Sequence, residues 1–126
     1  MEQAQNRLFH KWYMDWYKVN GIEEMVIFMS LPSILTKVVE DNDNTIILDI
    51  FEKRHPSVDA KKYLQKIIDG ANHYGVTICL EPIPRLYNIK NEEYREKLTR
   101  EYLISYYENF GFTLNDNGFM VKKPTQ

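Results

Sequence analysis

What the chain has little of narrows its chemistry first. Its one cysteine, Cys79, cannot close an internal disulfide, which removes the small disulfide-framed secreted folds from consideration. Five glycines and five prolines are too few for a loop-dominated chain, and 44% hydrophobic with 27% charged residues is the balance of an ordinary folded domain. Long apolar runs are missing too. The longest, Met25 to Met29, falls far short of the roughly 20 residues of a membrane-spanning helix. A net charge of −2 gives no general attraction to phosphate backbones, so nucleic acid is not an expected partner. No basic stretch leads into an apolar core near Met1, so no export signal is expected and the expected location is cytoplasmic. His10, His55 and His73 stand at no metal-ligand spacing with one another or with Cys79. The Asp41 to Asn44 run lacks the glycine that a calcium loop needs, having Ile46 at that position, and reads as a β-turn within Glu40 to Asn44. No metal site is expected. Neither a G-x-S-x-G nor a P-loop sequence occurs, which sets aside the corresponding hydrolases and nucleotide triphosphatases.

What is present reads as one domain over residues 1–126, with an N-terminal helix in 1–20 and a core over 24–123. Leu8, Trp12 and Trp16 recur every four residues, with Phe9, Tyr13 and Tyr17 beside them, so a helix with a wide aromatic stripe spans 5–19 and ends at Asn20-Gly21. Such a stripe serves a core or a contact with another subunit or partner, and Trp12 and Trp16 are the candidates for self-association. Strands are expected over Glu24 to Met29, Ile34 to Val39 and Thr45 to Phe51, all rich in β-branched or aromatic residues. Ala60, Leu64, Ile67, Ile68 and Ala71 recur at helical spacing between Ser57, a plausible N-cap, and Gly75, a stop. A strand over Val76 to Leu80 follows. The unit from Thr45 to Leu80 is therefore strand, helix, strand, which makes its two strands parallel neighbours. A last helix starts from Asn91 or Thr99, is breakable near Leu98, and runs to Phe110. Phe112 then opens a hairpin through an Asn117-Gly118 turn to Phe119–Val121.

Three features carry candidate chemistry. Lys53, Arg54, His55, Lys61, Lys62 and Lys66 fall within fourteen residues, either as a solvated helix face or as an anion site at a helix start. Tyr107-Glu108-Asn109-Phe110-Gly111-Phe112 ends a helix with a tyrosine, a glycine stop and an aromatic restart. Glu81, just past a strand end, and Asp49, within a strand, are carboxylates placed as bases, though strand-end carboxylates are commonly only solvated. Cys79, between Ile78 and Leu80, reads as a buried inert thiol.

The order of elements, with Gly75-Val76-Thr77-Ile78-Cys79-Leu80 and the YENFGF phrase, resembles the GNAT superfamily of acyl-coenzyme A N-acyltransferases, in particular its small phage and bacterial members. The resemblance covers residues 24–123. It implies an α/β (α+β) domain whose mixed, mostly antiparallel sheet has about six strands flanked by helices, splayed where the fourth and fifth strands meet. It implies acetyl transfer from acetyl-coenzyme A to an amine of a protein or small molecule. Tyr107 would be the acid that protonates the departing thiolate, with Tyr106 its competitor, and Glu81 the base. Phe51, Arg54 and the segment Ser57, Val58, Asp59, Ala60, Lys61 and Lys62 would hold the cofactor. In that family the pyrophosphate loop runs Arg/Gln-x-x-Gly-x-Gly/Ala. Aligned on Arg54, its two glycines are replaced here by Ser57 and Asp59, which removes close backbone approach and adds a negative charge. The alternative is a catalytically inactive binding protein of the same shape, such as a regulator of a host protein, working through the aromatic helix or the altered loop.

Overall fold

The computed structural model describes residues 4–33, 42–84 and 90–125. The chain opens with helix α1 (Gln5–Val19), followed by strand β1 (Met25–Ser30), a short 3-10 turn at Asn42–Asn44 and strand β2 (Thr45–Lys53). Helix α2 (Lys61–Tyr74) leads to strand β3 (Thr77–Leu80); then come helices α3 (Glu92–Lys97) and α4 (Arg100–Glu108) and the hairpin of β4 (Thr113–Leu114) with β5 (Met120–Lys122). The described strands form one open sheet of five, in the order β1-β2-β3-β5-β4. β2 and β3 are parallel and the other pairings are antiparallel. The fold is thus mixed α/β with a mostly antiparallel sheet, and the count among described residues is five strands rather than about six. The expected strand over 34–39 lies outside the described residues, as does the start of the turn expected at Glu40. Among the described residues no helix is long and apolar enough to cross a membrane.

Helix ends follow from local chemistry. α2 closes on Gly75, whose φ of 69° and ψ of 40° are left-handed, so that Val76 N–H donates to Ala71 O at 2.8 Å. Gly111, at φ 96°, does the same work after α4 and lets Phe112 N–H reach Tyr107 O at 3.2 Å. The break near Leu98 is real. Asn91 caps α3 by accepting from Tyr94 N–H, and Thr99 caps α4 by accepting from Tyr102 N–H. One expectation fails: Ser57 is not the cap of α2. Residues 56–60 make a turn first, Ser57 pairs instead with the His55 ring at 2.7 Å, and the helix begins at Lys61.

One core joins helices α1 and α2 to the sheet. Phe9 and Tyr13 of α1, Leu64 and Ile67 of α2, Met25 and Ile27 of β1 and Ile46 of β2 are buried together. Trp12 lies against Gly70 of α2 so closely that an added Cβ would stand 2.4 Å from its ring, so glycine is what allows the two helices to meet. The aromatic stripe has a second use. Tyr13 Oη donates to Ile27 O at 2.6 Å, Tyr17 Oη donates to Met25 O at 2.9 Å, and His10 Nε2 lies 3.2 Å from Met29 O. These carbonyls alternate along β1, which stands at one edge of the described sheet, so α1 covers a strand edge that would otherwise invite pairing with another chain. Asn6, also buried, anchors the start of β2 by donating to Thr45 O at 2.9 Å.

Candidate ligand-binding cavity

β2 is nine residues long but pairs with β3 only from Thr45 opposite Thr77 to Ile47 opposite Cys79. The reason is partly local. On the other side of β2, Phe28 faces Ile50 and Met29 faces Leu48, which leaves Asp49 as the extra residue of a β-bulge. A bulge bends its strand and increases the local twist, and it re-aims the side chains that follow. Beyond the last paired residues, the carboxyl ends of these two parallel strands line a cavity of about 470 Å³. This is the position where open sheets with parallel strands commonly take ligands, and the volume suits a small molecule.

From β2 the cavity receives Asp49, Phe51, Glu52 and Lys53, and from the end of β3 it receives Leu80 and Glu81. Helices α3 and α4 cover it with Tyr94, Leu98, Tyr102 and Tyr106, spaced every four residues straight through the helix break. Periodicity across that break was the available signal for this wall. Tyr107 also lines the cavity, so Tyr107 and its competitor Tyr106 both reach it. They differ in kind. Tyr107 is 6% exposed, belongs to the core, and packs edge-on against Phe112 and Tyr106 at centroid distances of 5.5 and 5.3 Å. Burial, then the neighbouring Tyr106 and Tyr94, pushes its phenol well above the ordinary tyrosine range. Tyr106 packs against Phe110 at 5.4 Å, and its buried hydroxyl has no hydrogen-bond partner among the described residues. Its phenol is pushed up to about 12, first by burial, then by Tyr102, Asp59 and Tyr94. Both phenols are therefore neutral near pH 7.

The residues expected to hold a cofactor divide. Phe51 and Ala60 line the cavity, whereas Arg54, Ser57, Val58, Asp59, Lys61 and Lys62 lie outside its described lining. Arg54 N–H continues the strand ladder by donating to Glu24 O at 2.8 Å. Val58 and Ala60 pack against the core. Lys62 lies 4.0 Å from an exposed Glu24 carboxylate and over the Tyr63 ring, a pair worth little in solvent. Asp59 Oδ1 accepts from Lys61 N–H at 3.2 Å. Its carboxylate thereby occupies a backbone donor at the helix start, the kind of group that a pyrophosphate would need. Lys53 bends back to donate to Pro56 O at 3.1 Å and lies 5.0 Å from the Tyr94 ring centroid, closing the turn from inside. At this turn the Asp59 carboxylate takes a donor, and the Pro56 carbonyl and Tyr94 ring take the Lys53 ammonium, that a pyrophosphate would draw on.

Cys79 is buried in β3, with burial pushing its thiol up to about 11, which is the state of a packing residue. Trp12 stacks on Trp16 at 6.0 Å and on Phe9 at 5.6 Å, with Lys66 above it, and both tryptophans remain half-buried. Comparison with protein-family models, curated proteins and solved structures finds no match to this chain.

Proposed function

We propose that this chain is a GNAT-shaped binding protein that takes a small ligand into the cavity at the ends of β2 and β3 and makes no use of coenzyme A. The observation that carries this reading is Asp59 on the Lys61 N–H. A helix start offers roughly half a positive charge through its free N–H groups, and a carboxylate already satisfies that demand while repelling an incoming phosphate. The order and pairing of the elements, parallel β2 and β3 joined through α2 and then an antiparallel hairpin after α4, support the GNAT-like shape. Calorimetric titration of acetyl-coenzyme A to millimolar concentration at low salt tests the reading, and saturable binding would overturn it. The competing reading is acetyl transfer to an amine with Tyr107 as acid and Glu81 as base. It is favoured by the bulge at Asp49 and by both residues lining one cavity. Acetylated product from a panel of amines would establish it. Self-association through Trp12 and Trp16 has the partial exposure of both rings in its support, and sedimentation at rising protein concentration tests that.

A further inference from the structure

In an Asn-Gly pair the side-chain amide can close on the next main-chain nitrogen with no Cβ in the way. The chain has such a pair after α1, at Asn20-Gly21, and another in the β4–β5 turn, at Asn117-Gly118, and both asparagines are exposed. The fold treats the two differently. Asn20 Nδ2 donates to Trp16 O at 2.8 Å, which ties its amide back to α1, and no group from elsewhere in the chain stands within 4 Å of where a Cβ on Gly21 would lie. The Asn117 amide has no hydrogen-bond partner among the described residues, so it is free to turn toward its own backbone. Its turn is held instead by Asn115 Oδ1, which accepts from Asn117 N–H and from Phe119 N–H, both at 3.0 Å. A cation stands over Gly118: Nη2 of Arg100, the first residue of α4, lies 3.7 Å from the place that a Cβ would take. Both glycine N–H groups donate at 3.2 Å, Gly21 to Lys18 O and Gly118 to Asn115 O, so that bond does not separate the sites. The amide tether and the guanidinium do.

We infer that Asn117 is a site of self-modification, closing onto Gly118 with Arg100 lowering the barrier. The Gly118 nitrogen loses its proton to hydroxide and attacks Asn117 Cγ. As the new C–N bond forms, the bond from Cγ to Nδ2 breaks, and Nδ2 takes a proton from water and leaves as ammonia. Negative charge develops on the attacking nitrogen and then on the carbonyl oxygen, and a guanidinium held beside them stabilises it. Water then opens the cyclic imide at either carbonyl. Cleavage of the Gly118 nitrogen from Cγ leaves an aspartyl side chain. Cleavage from the main-chain carbonyl leaves an isoaspartyl link, with one more carbon in the backbone of the turn that sets Leu114 opposite Met120. Water is the sole co-reactant. The intact protein is held in warm neutral buffer at low salt, and peptide mapping that separates asparaginyl, aspartyl and isoaspartyl forms follows both sites over time. In the folded protein Asn117 should convert at least about tenfold faster than Asn20, whose amide must first give up its bond to Trp16 O and meets no cation. In urea, which removes both the tether and the placement of Arg100, the two sites should convert at similar rates. Arg100→Gln, at an exposed position whose helix keeps its Thr99 cap, should slow Asn117 by about two- to fivefold and leave Asn20 unchanged, and Arg100→Lys should slow it less. Raised salt should narrow the gap between the wild type and Arg100→Gln. Equal rates at the two sites in the folded protein, or no effect of Arg100→Gln on Asn117, would overturn the inference. Its outcome is independent of the proposed function, because neither Arg100 nor the Asn117-Gly118 turn lines the cavity.

Discussion

Replacing Tyr13 by phenylalanine removes one oxygen from the seam between α1 and the edge of the sheet, and the structure fixes what that oxygen is worth. Tyr13 is 2% exposed and Ile27 is 5% exposed, so the Ile27 carbonyl that accepts at 2.6 Å has no route to solvent once the hydroxyl is gone. Leaving such an acceptor unsatisfied costs about 1–3 kcal/mol, more than the roughly 0.5–1.5 kcal/mol of an ordinary hydrogen bond. Tyr17→Phe is the internal control, since its bond to Met25 O is longer, at 2.9 Å, and only partly buried. Urea unfolding followed by circular dichroism should show a lower midpoint for Tyr13→Phe at unchanged slope, with a smaller loss for Tyr17→Phe. The same residue predicts an alkaline limit. Burial, then Tyr17, holds the Tyr13 phenol above its ordinary value of 10.0, so above that pH the unfolded state releases a proton that the folded state keeps. Stability from this group is therefore complete below about pH 10 and falls as pH rises beyond it, and the fall should be shallower in Tyr13→Phe. If Tyr13→Phe loses no more than Tyr17→Phe, or its alkaline limb matches the wild type, the edge-covering role of α1 is wrong.

Three further outcomes follow from other contacts. Gly70→Ala should destabilise by about 1–3 kcal/mol despite alanine's better helix propensity, because the new Cβ would meet Trp12 at 2.4 and 2.6 Å; altered tryptophan fluorescence and a lower unfolding midpoint would report it. Asp59→Gly should lose about 0.3–1 kcal/mol of helix-start stabilisation and still bind no coenzyme A in calorimetry; tight binding by the variant would mean that the carboxylate alone closes a working phosphate site. Cys79, with its thiol pushed up to about 11, should react with a thiol reagent near pH 8 only as fast as the protein opens, so that added urea accelerates the reaction and fast labelling of the native state would contradict its burial.

Much of the fold was legible because period and punctuation agreed. The aromatic helix, the parallel strand-helix-strand unit, the stops at Gly75 and Gly111 and the final hairpin all stand where the sequence places them, within a residue or two at strand ends. The use of the aromatic stripe was less legible. Spacing says which residues share a face, but not that the tips of Tyr13 and Tyr17 will meet alternate carbonyls of β1, since those carbonyls come from a separate element. The start of α2 was misread for a related reason: Ser57 has the chemistry of a cap, but the His55 ring takes its hydroxyl and the turn after Pro56 delays the helix by three residues, from the expected Val58 to Lys61. At the site, Tyr107, Glu81 and Phe51 do share a cavity, whereas the Arg54 to Lys62 loop stays outside its described lining. Tyr94 and Tyr102 were missed because the break at Leu98 hid a spacing of four that resumes in register on its far side.

Asp59 acts on both the start of α2 and the cavity side of α4. By accepting the Lys61 N–H it consumes positive potential at the start of α2, which works against a pyrophosphate at the place where the fold resemblance would put one. The same carboxylate helps to push the Tyr106 phenol up, behind burial and Tyr102, so its field reaches the cavity side of α4 as well as the helix. One residue therefore moves both regions in the same electrical direction. Neutralising Asp59 should relax the repulsion of anions at the helix start without by itself making a coenzyme A site, because Lys53 stays engaged with Pro56 O and the Tyr94 ring.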